Sequence, residues 1–336
     1  ANGVEACIDP LAEGIDLEPF LAIMRDEKIL KVFHAARQDV EIFNNLQAMP
    51  KPLFDTQVAG MAAGFGEQIA YDALVRQMLR IDLDKSSRFT DWSNRPLTER
   101  QIEYALGDVS HLRTVYVKLR DQLAASNRAE WVQEEIGVLT SPETYRADPH
   151  EVWRRFKWRA EKPRLRAYLQ GLAEWRELEA QRLNVPRGRV LRDEALAEIA
   201  NHPPDNAHEL ARVRGLSTGF AESRQGAEVL AVVAKARALP LDQCPAPDKR
   251  RVNASGLGPA VDLLKILLKQ VSEEHGVASK LIATVDDLEE IAADDNAETQ
   301  VLKGWRRELF GNAALALKRG ELALSVRDKK VVTLPT

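Results

Sequence analysis

Tyr104 and Asp108 are the first pair of residues whose types and spacing suit chemistry. Residues four apart on a helix lie on the same face, one turn from each other. A carboxylate there can bind a divalent ion while a phenol orients the attacking water, as metal-assisted hydrolysis requires. Gly107 lowers helix propensity by about 1 kcal/mol relative to Ala, which suits the close approach of another backbone or a ligand. A surface acid beside a half-buried tyrosine also explains the pair, so the spacing leaves both interpretations open.

Asp39 is a second candidate carboxylate. It follows a predicted strand at 29–34 and lies in the first turn of a predicted helix at 36–47. The helix dipole stabilises an acid in that position, so capping alone is one explanation. The position also faces the carboxyl end of the sheet, where α/β proteins bind ligands.

The elements that position these residues follow from hydrophobic periodicity. Apolar runs predict strands at 5–10 and 29–34, and helical spacing predicts helices at 17–24, 36–47, 57–64 and 70–80. Such alternation indicates an α/β domain with a mixed or parallel sheet. Thr98, with Gln101 three residues later, predicts a capping box that opens one long helix to about residue 123.

The rest of the chain is predicted to be helical. From residue 152 onward, helical patterns are separated by breaks at 184–186, 202–204 and 214–216. A longer break at 240–248 divides this part in two, and residues 321–336 predict a strand or a tail.

Composition places the chain among soluble globular proteins of two or three domains. It has 336 residues, 45% hydrophobic and 29% charged. We expect no membrane helix and no signal peptide, because no long apolar run is present. Cys7 and Cys244 suggest neither a disulfide framework nor a zinc site, so a reducing cytoplasm is expected.

The charge is unevenly distributed. Residues 1–150 hold 16 Lys or Arg against 24 Asp or Glu, whereas residues 151–240 hold 17 against 12. A nucleic-acid enzyme shows this asymmetry if acidic metal ligands and a basic platform occupy different domains. Chance and solvated charged faces explain it as well.

Three segments resemble the ribonuclease D family in order. KSSRFTDWSNRPLTERQIEYALGDV (85–109) resembles its third exonuclease motif, VFHAARQDVEIF (32–43) its second, and PLFDTQ (52–57) the segment that follows. The resemblance implies an α/β exonuclease domain at 1–140. That domain would be ribonuclease H-like, with a mixed sheet flanked by helices.

This family belongs to the DEDD exonucleases of the tyrosine subtype, in which four acids hold two Mg²⁺ or Mn²⁺ ions. The resemblance implies that Asp39 and Asp108 are metal ligands and that Tyr104 positions the attacking water. The first motif, an Asp-x-Glu on an early strand, has no counterpart that we identify before Asp39. We therefore expect a domain incomplete at its N-terminus, a weak metal site, and low activity of this chain by itself.

Other residues in or near these motifs have either two explanations or a structural one. Lys85, Arg88 and Arg95 lie in the loop before the catalytic helix, where they would meet phosphates or form loop salt bridges. His34 is interpreted as structural and Asp55 as an N-cap.

The helical part resembles HRDC domains. Residues 164–196 and 210–217 carry a first such domain at 152–239, and residues 281–292 and 304–310 carry a second, divergent one at 249–322, followed by a tail at 323–336. WRRFKWR (153–159) interleaves aromatic and basic residues, so RNA-binding candidates are Arg154, Arg155, Lys157 and Arg159. Trp153, Trp158, Trp175 and Trp305 are predicted to be core residues.

The resulting expectation is a metal-dependent 3′→5′ exoribonuclease. It would trim the 3′ ends of structured RNA, by resemblance tRNA precursors, release 5′-mononucleotides, and act as a monomer. Two alternatives stay open. One is a noncatalytic RNA-binding relative, favoured by the missing motif. The other is a DNA exonuclease, which differs in whether the 2′-hydroxyl is read.

Overall fold

A computed structural model describes residues 3–84, 87–146, 148–156, 162–246 and 256–336. The chain forms two compact units. The first unit comprises residues 1–145 and 256–336, and the second comprises residues 146–255.

The first unit begins with alternating strands and helices. The elements are α1 (Glu18–Arg25), β1 (Lys31–Phe33), α2 (Arg37–Asn45), β2 (Leu53–Asp55), α3 (Thr56–Ala62), α4 (Tyr71–Leu79), α5 (Glu99–Ser110), α6 (Leu112–Ala125) and α7 (Ala129–Leu139). Strands β1 and β2 are parallel, with Lys31 opposite Leu53 and Phe33 opposite Asp55. The order confirms the predicted α/β architecture in this region.

The strand predicted at 5–10 is wrong. Residues 3–9 have no regular secondary structure, and Val4 and Ile8 are 76% and 45% exposed. A strand needs a hydrogen-bonded neighbour, and among the described residues β1 pairs only with β2. Side chains hold this segment instead, because Asp9 binds Arg95 and Glu5 accepts a hydrogen bond from the Ser110 hydroxyl.

The single long helix predicted from Thr98 is two helices. Its capping box forms as predicted, with the Thr98 hydroxyl accepting from the Gln101 amide. The chain leaves helical geometry at His111, where φ is −103° and ψ is −7°. The apolar stripe continues through this break into Val115 and Leu119, which are fully buried, so periodicity alone could not reveal it.

The second unit is helical. It contains a 3₁₀ turn at Val152–Arg155 and the helices α8 (Pro163–Leu183), α9 (Arg187–Val190), α10 (Asp193–Asn201), α11 (Ala207–Leu210), α12 (Thr218–Ala221) and α13 (Arg224–Ala238). Helices α8, α10 and α13 bury Leu172, Ile199 and Val229 between them. Trp153 is buried and Trp175 packs against the same core, as predicted, whereas Trp158 lies outside the described residues.

Residues 256–336 complete the first unit. They form α14 (Gly258–His275), α15 (Ser279–Ile282), α16 (Val285–Ala293), α17 (Gly304–Arg306), a π-helical turn (Arg307–Gly311), α18 (Asn312–Lys318) and the strands β3 (Leu322–Arg327) and β4 (Lys330–Pro335). The two strands pair antiparallel, so residues 321–336, for which the sequence left a strand and a tail open, contain a hairpin.

This segment shares one hydrophobic core with residues 1–145. Leu264 and Phe310 belong to the same buried cluster as Leu74 and Leu119. The Trp305 ring stacks on Trp131 at 4.1 Å between centroids. A second, separate all-α domain at 249–322 is therefore not confirmed.

No helix among the described residues combines the length and apolarity that crossing a membrane requires.

Candidate active site

The three predicted catalytic residues line two adjoining cavities of the first unit. Asp39 and Asp108 line a cavity of about 670 Å³. Tyr104, Gly107 and Asp108 line a second cavity of about 290 Å³. Because Asp108 belongs to both walls, the fold brings Asp39, Tyr104 and Asp108 to one place.

Asp55 explains how the chain holds the turn ahead of Asp39. Its carboxylate is buried and accepts hydrogen bonds from the amides of Ala35 (3.0 Å), Ala36 (2.8 Å) and Gln57 (2.7 Å). The predicted N-cap role is thus confirmed for α3. The same carboxylate also braces the β1–α2 turn, in which Ala35 has a positive φ of 58°. Asp55 therefore sets the start of the helix that carries Asp39.

His34 supports the same turn from inside the protein. Its Nδ1 lies 2.9 Å from the Thr56 hydroxyl, and its Nε2 lies 3.0 Å from the Ile69 carbonyl. Burial lowers the pKa of His34, although the charge of Asp55 opposes this shift. A neutral ring that donates from Nε2 satisfies the Ile69 carbonyl, in keeping with the structural role predicted for His34.

Both candidate metal ligands are held in an environment that disfavours their charge. The side chains of Asp39 and Asp108 reach solvent at the cavity surface, yet the surrounding protein desolvates them and raises both pKa values. The charge of Asp55 adds a smaller contribution at Asp39. A bound cation would offset these penalties.

The donor set fits one hard divalent ion. Carboxylate oxygens are the ligands that Mg²⁺ prefers, and Mg²⁺ commonly uses one or two carboxylates completed by water and phosphate oxygens. Across the described residues, no group of three or more His, Cys, Asp or Glu side chains is placed to hold a metal. A second ion would therefore need donors beyond Asp39 and Asp108.

An Asp-x-Glu spacing that the sequence analysis overlooked occurs at Asp16 and Glu18. In the structure this pair opens α1, where the Asp16 carboxylate accepts from the Glu18 amide and Glu18 pairs with Arg25. Neither residue lines the cavities that contain Asp108. The spacing here gives a local side-chain-to-backbone hydrogen bond at the start of α1.

Tyr71 is a site residue that sequence reasoning missed. It lines both cavities, and its hydroxyl is buried. Burial raises its pKa to about 12; the backbone of His111 opposes this shift, and the charge of Asp108 adds to it. The hydroxyl therefore stays protonated beside the carboxylates. Local sequence carries no signal for it, because the ring is placed there by the packing of α4 against α6.

The basic loop residues have different surroundings. Arg88 lines the smaller cavity, as does Arg100, which sequence reasoning missed. Arg95 is held by Asp9 through contacts of 2.6 and 2.7 Å and by the carbonyls of Trp92 and Asn94. Lys85 lies outside the described residues.

The basic residues of the second unit also differ in their surroundings. Arg154 pairs with Glu151 and lies over the Trp153 ring, and Arg155 lines a cavity rich in acids. Lys157 and Arg159 lie outside the described residues. A separate cavity of about 570 Å³ is lined by three exposed arginines and an aromatic ring, namely Arg189, Arg192, Arg214 and Phe220.

Comparison with known proteins gives consistent matches. A family described as 3′-5′ exonuclease matches residues 2–124, and the HRDC domain family matches residues 166–233. Ribonuclease D of Nitrobacter hamburgensis is 52% identical over 97% of this chain and 85% of that protein. Ribonuclease D of Granulibacter bethesdensis is 48% identical over 98% and 84%. The crystal structure of Escherichia coli RNase D, an exoribonuclease involved in structured RNA processing, superposes with a TM-score of 0.77. It is 32% identical and covers 91% of this chain and 83% of that one.

Proposed function

Because the chain belongs to the ribonuclease D family of 3′→5′ exoribonucleases, we propose that it trims the 3′ ends of structured RNA, in particular tRNA precursors, and releases 5′-mononucleotides. The observation that carries the proposal is the gathering of Asp39, Asp108 and Tyr104 around adjoining cavities. The described role of the Escherichia coli relative in structured RNA processing supports this substrate class.

Each site residue has a proposed role. Asp39 and Asp108 would hold the divalent ions, two Mg²⁺ or Mn²⁺ in the proposed mechanism. When bound, such ions stabilise negative charge at the scissile phosphate and make water a better nucleophile. Tyr104, one helical turn before Asp108, would orient the attacking water through its phenol. The protonated Tyr71 hydroxyl is a further donor in the same cavity wall.

Metal binding tests these roles apart from activity. We expect Mn²⁺, followed by electron paramagnetic resonance, to bind the wild-type protein and to bind Asp39→Asn and Asp108→Asn much more weakly. Asp121→Asn makes the same chemical change on α6, where Asp121 pairs with Arg120, and should bind Mn²⁺ like wild type. Equal Mn²⁺ binding by all four proteins would contradict the ligand assignment. The number of Mn²⁺ ions bound per protein molecule shows whether the site holds one ion or two.

Activity is tested with a 5′-labelled RNA and a DNA of the same sequence. Metal-dependent shortening of the RNA from its 3′ end, with mononucleotide products, supports the proposal. Preferential shortening of the DNA would favour the alternative DNA exonuclease, and binding of RNA without shortening would favour a noncatalytic relative.

The second unit is the proposed RNA-contacting module. Arg154, Arg155, Lys157 and Arg159 remain candidates, and Arg189, Arg192 and Arg214 join them because they converge on one cavity. None of these last three guanidinium groups forms an ion pair within the described part of the chain. Unpaired cations gathered in this way suit the phosphate backbone.

The salt dependence of binding tests the arginine cavity. For single strands, the slope of log K against log salt concentration has a magnitude of about 0.7 for each phosphate that the protein neutralises. The triple variant Arg189→Gln, Arg192→Gln, Arg214→Gln should therefore reduce the magnitude of the slope by about 2. A control of equal charge, Arg182→Gln, Arg212→Gln, Arg237→Gln, removes arginines outside this cavity and should keep the slope. Equal slopes in the two triple variants would contradict the proposal that this cavity binds phosphates.

The cellular setting is also a proposal. Cys7 and Cys244 are free thiols in the structure, in accord with a reducing cytoplasm. We propose that the protein acts as a monomer and that residues 249–322 derive from a second HRDC domain. Sedimentation at micromolar concentration tests whether the protein is a monomer.

A further inference from the structure

Phe89 is presented to solvent beside the catalytic helix. Its side chain is 91% exposed, the largest value among the exposed large hydrophobic residues that the structure describes. Burying such a ring is ordinarily favourable, so its exposure needs an explanation. A flexible loop would explain it simply, but the turn that carries Phe89 is fastened to α5.

Hydrogen bonds fix this turn on both sides of Phe89. Before it, Ser87 is buried and its hydroxyl donates to the Arg100 carbonyl of α5 at 3.3 Å. After it, the Thr90 hydroxyl donates to the Ser87 carbonyl at 2.8 Å and accepts from the Gln101 side-chain amide at 3.3 Å. Gln101 is also the capping-box residue that opens α5. The helix that carries Tyr104 and Asp108 therefore also holds the exposed ring in place.

Arg88 connects this ring with the site. Its guanidinium lies 5.3 Å from the centroid of the Phe89 ring, and Arg88 lines the same cavity as Tyr104 and Asp108. Phe89 itself lines neither cavity. The ring thus stands outside the cavity, next to a cation that lines it.

We propose that Phe89 stacks on a nucleobase of the RNA strand, upstream of the terminal nucleotide in the cavity, while Arg88 meets the adjoining phosphate. This inference rests on the proposed function, because it takes the cavity to hold the 3′ end. Stacking suits an enzyme that must pass every nucleotide in turn, since every base has a π face and the contact needs no particular sequence. The ring is pre-positioned, so little ordering of the protein opposes the contact.

Fluorescence of 2-aminopurine tests the stacking directly. The base is placed at each of the last three positions of a single-stranded RNA, and binding is measured in EDTA so that no cleavage occurs. We expect the wild-type protein to quench one position upstream of the terminus and Phe89→Ala to lose that quenching. Affinity of Phe89→Ala should fall by about fivefold or more, the lower end for one base stacked on an aromatic ring.

Two variants separate stacking from other effects. Phe89→Trp keeps an aromatic face and should retain quenching and affinity. Val326→Ala removes another exposed apolar side chain of the first unit, 70% exposed on the terminal hairpin, and should bind like wild type. The salt dependence of binding should not change in Phe89→Ala, because the variant keeps every cation that meets a phosphate. An unchanged melting temperature would show that the fold is intact.

Unchanged affinity and quenching in Phe89→Ala would overturn the inference, as would a loss in Phe89→Trp equal to that in Phe89→Ala. These binding results are independent of catalysis. If wild-type protein released no mononucleotides, the proposed function would fail while the quenching data still decided the role of Phe89.

Discussion

Gly107→Ala separates the stability of the catalytic helix from its function. Gly107 lies inside α5, between Tyr104 and Asp108, and a Cβ built there meets no heavy atom within 4 Å. Its φ is not in the left-handed region, so alanine fits the backbone without strain. The substitution should therefore stabilise the protein by about 0.8–1 kcal/mol, the difference in helix propensity. For a unit the size of residues 1–145 with 256–336, that corresponds to a rise in Tm of about 2–4 °C.

The same methyl group should impair catalysis. Gly107 lines the cavity of about 290 Å³ that Tyr104 and Asp108 share. The open space beside its backbone is available to a phosphate or a ribose, which the methyl group would displace. We expect kcat/KM to fall at least about tenfold, equivalent to about 1.4 kcal/mol of transition-state stabilisation.

Gly137→Ala is the matched control. Gly137 lies in α7, and a Cβ there also meets nothing within 4 Å, but it lines a different cavity from Asp108. Thermal melts and mononucleotide release are measured for both variants, and the control should gain stability without losing activity. A Gly107→Ala protein that is more stable and fully active would show that substrate does not use this space. A lower Tm would refute the helix argument itself.

Three further substitutions test the electrostatics and packing of the first unit. Asp108→Asn should raise the metal-free Tm at pH 7 and abolish activity. Because burial raises the folded-state pKa of Asp108, the destabilisation grows as pH rises through the ordinary and then the raised pKa. The gain in Tm should therefore vanish at a pH below both values, and a gain of equal size there would contradict this origin. Asp55→Ala leaves the Ala35, Ala36 and Gln57 amides without their acceptor. Urea denaturation should show that the free energy of unfolding falls by about 1–3 kcal/mol or more, and Mn²⁺ binding at Asp39 should weaken. Unchanged Mn²⁺ binding would show that the turn braced by Asp55 does not position Asp39. Arg306→Met removes bonds to Glu134, Glu135 and the Leu281 carbonyl. It should cost about 1–3 kcal/mol, whereas Arg307→Met, whose side chain bonds to Asn312, should cost little, and equal losses in the two variants would contradict the role of the buried bonds.

Local geometry explains why much of the site could be predicted. Tyr104 and Asp108 share a face because a capping box and an apolar stripe specify α5, and both are visible within a dozen residues. Asp39 follows from the strand–helix step at β1 and α2 in the same way. That these two segments line one cavity followed only from family resemblance, since spacing within either segment says nothing about the distance between them.

The residues that could not be predicted depend on partners remote in the sequence. Arg95 and Arg88 are both bases in one loop, yet Asp9, 86 residues from Arg95, binds one of them, while the other lines the cavity. Tyr71 enters the site only because α4 packs near Asp108, and no pattern around residue 71 records that contact.

Dependence on partners remote in the sequence also explains why the packing of residues 256–336 could not be predicted. An amphipathic helix such as α14 indicates that one face is buried, but not against what. In the structure, its buried residue Leu264 belongs to the same hydrophobic cluster as Leu74, Leu119 and Phe310. The Arg128 guanidinium donates to the carbonyls of His275 and Gly276 at the end of α14 and to the Ala62 carbonyl at the end of α3. A helical segment that resembles a separate domain in sequence can therefore share its core with residues remote along the chain, and disrupting Trp305 or Arg306, which contact Trp131 and Glu134 of α7, should destabilise the first unit.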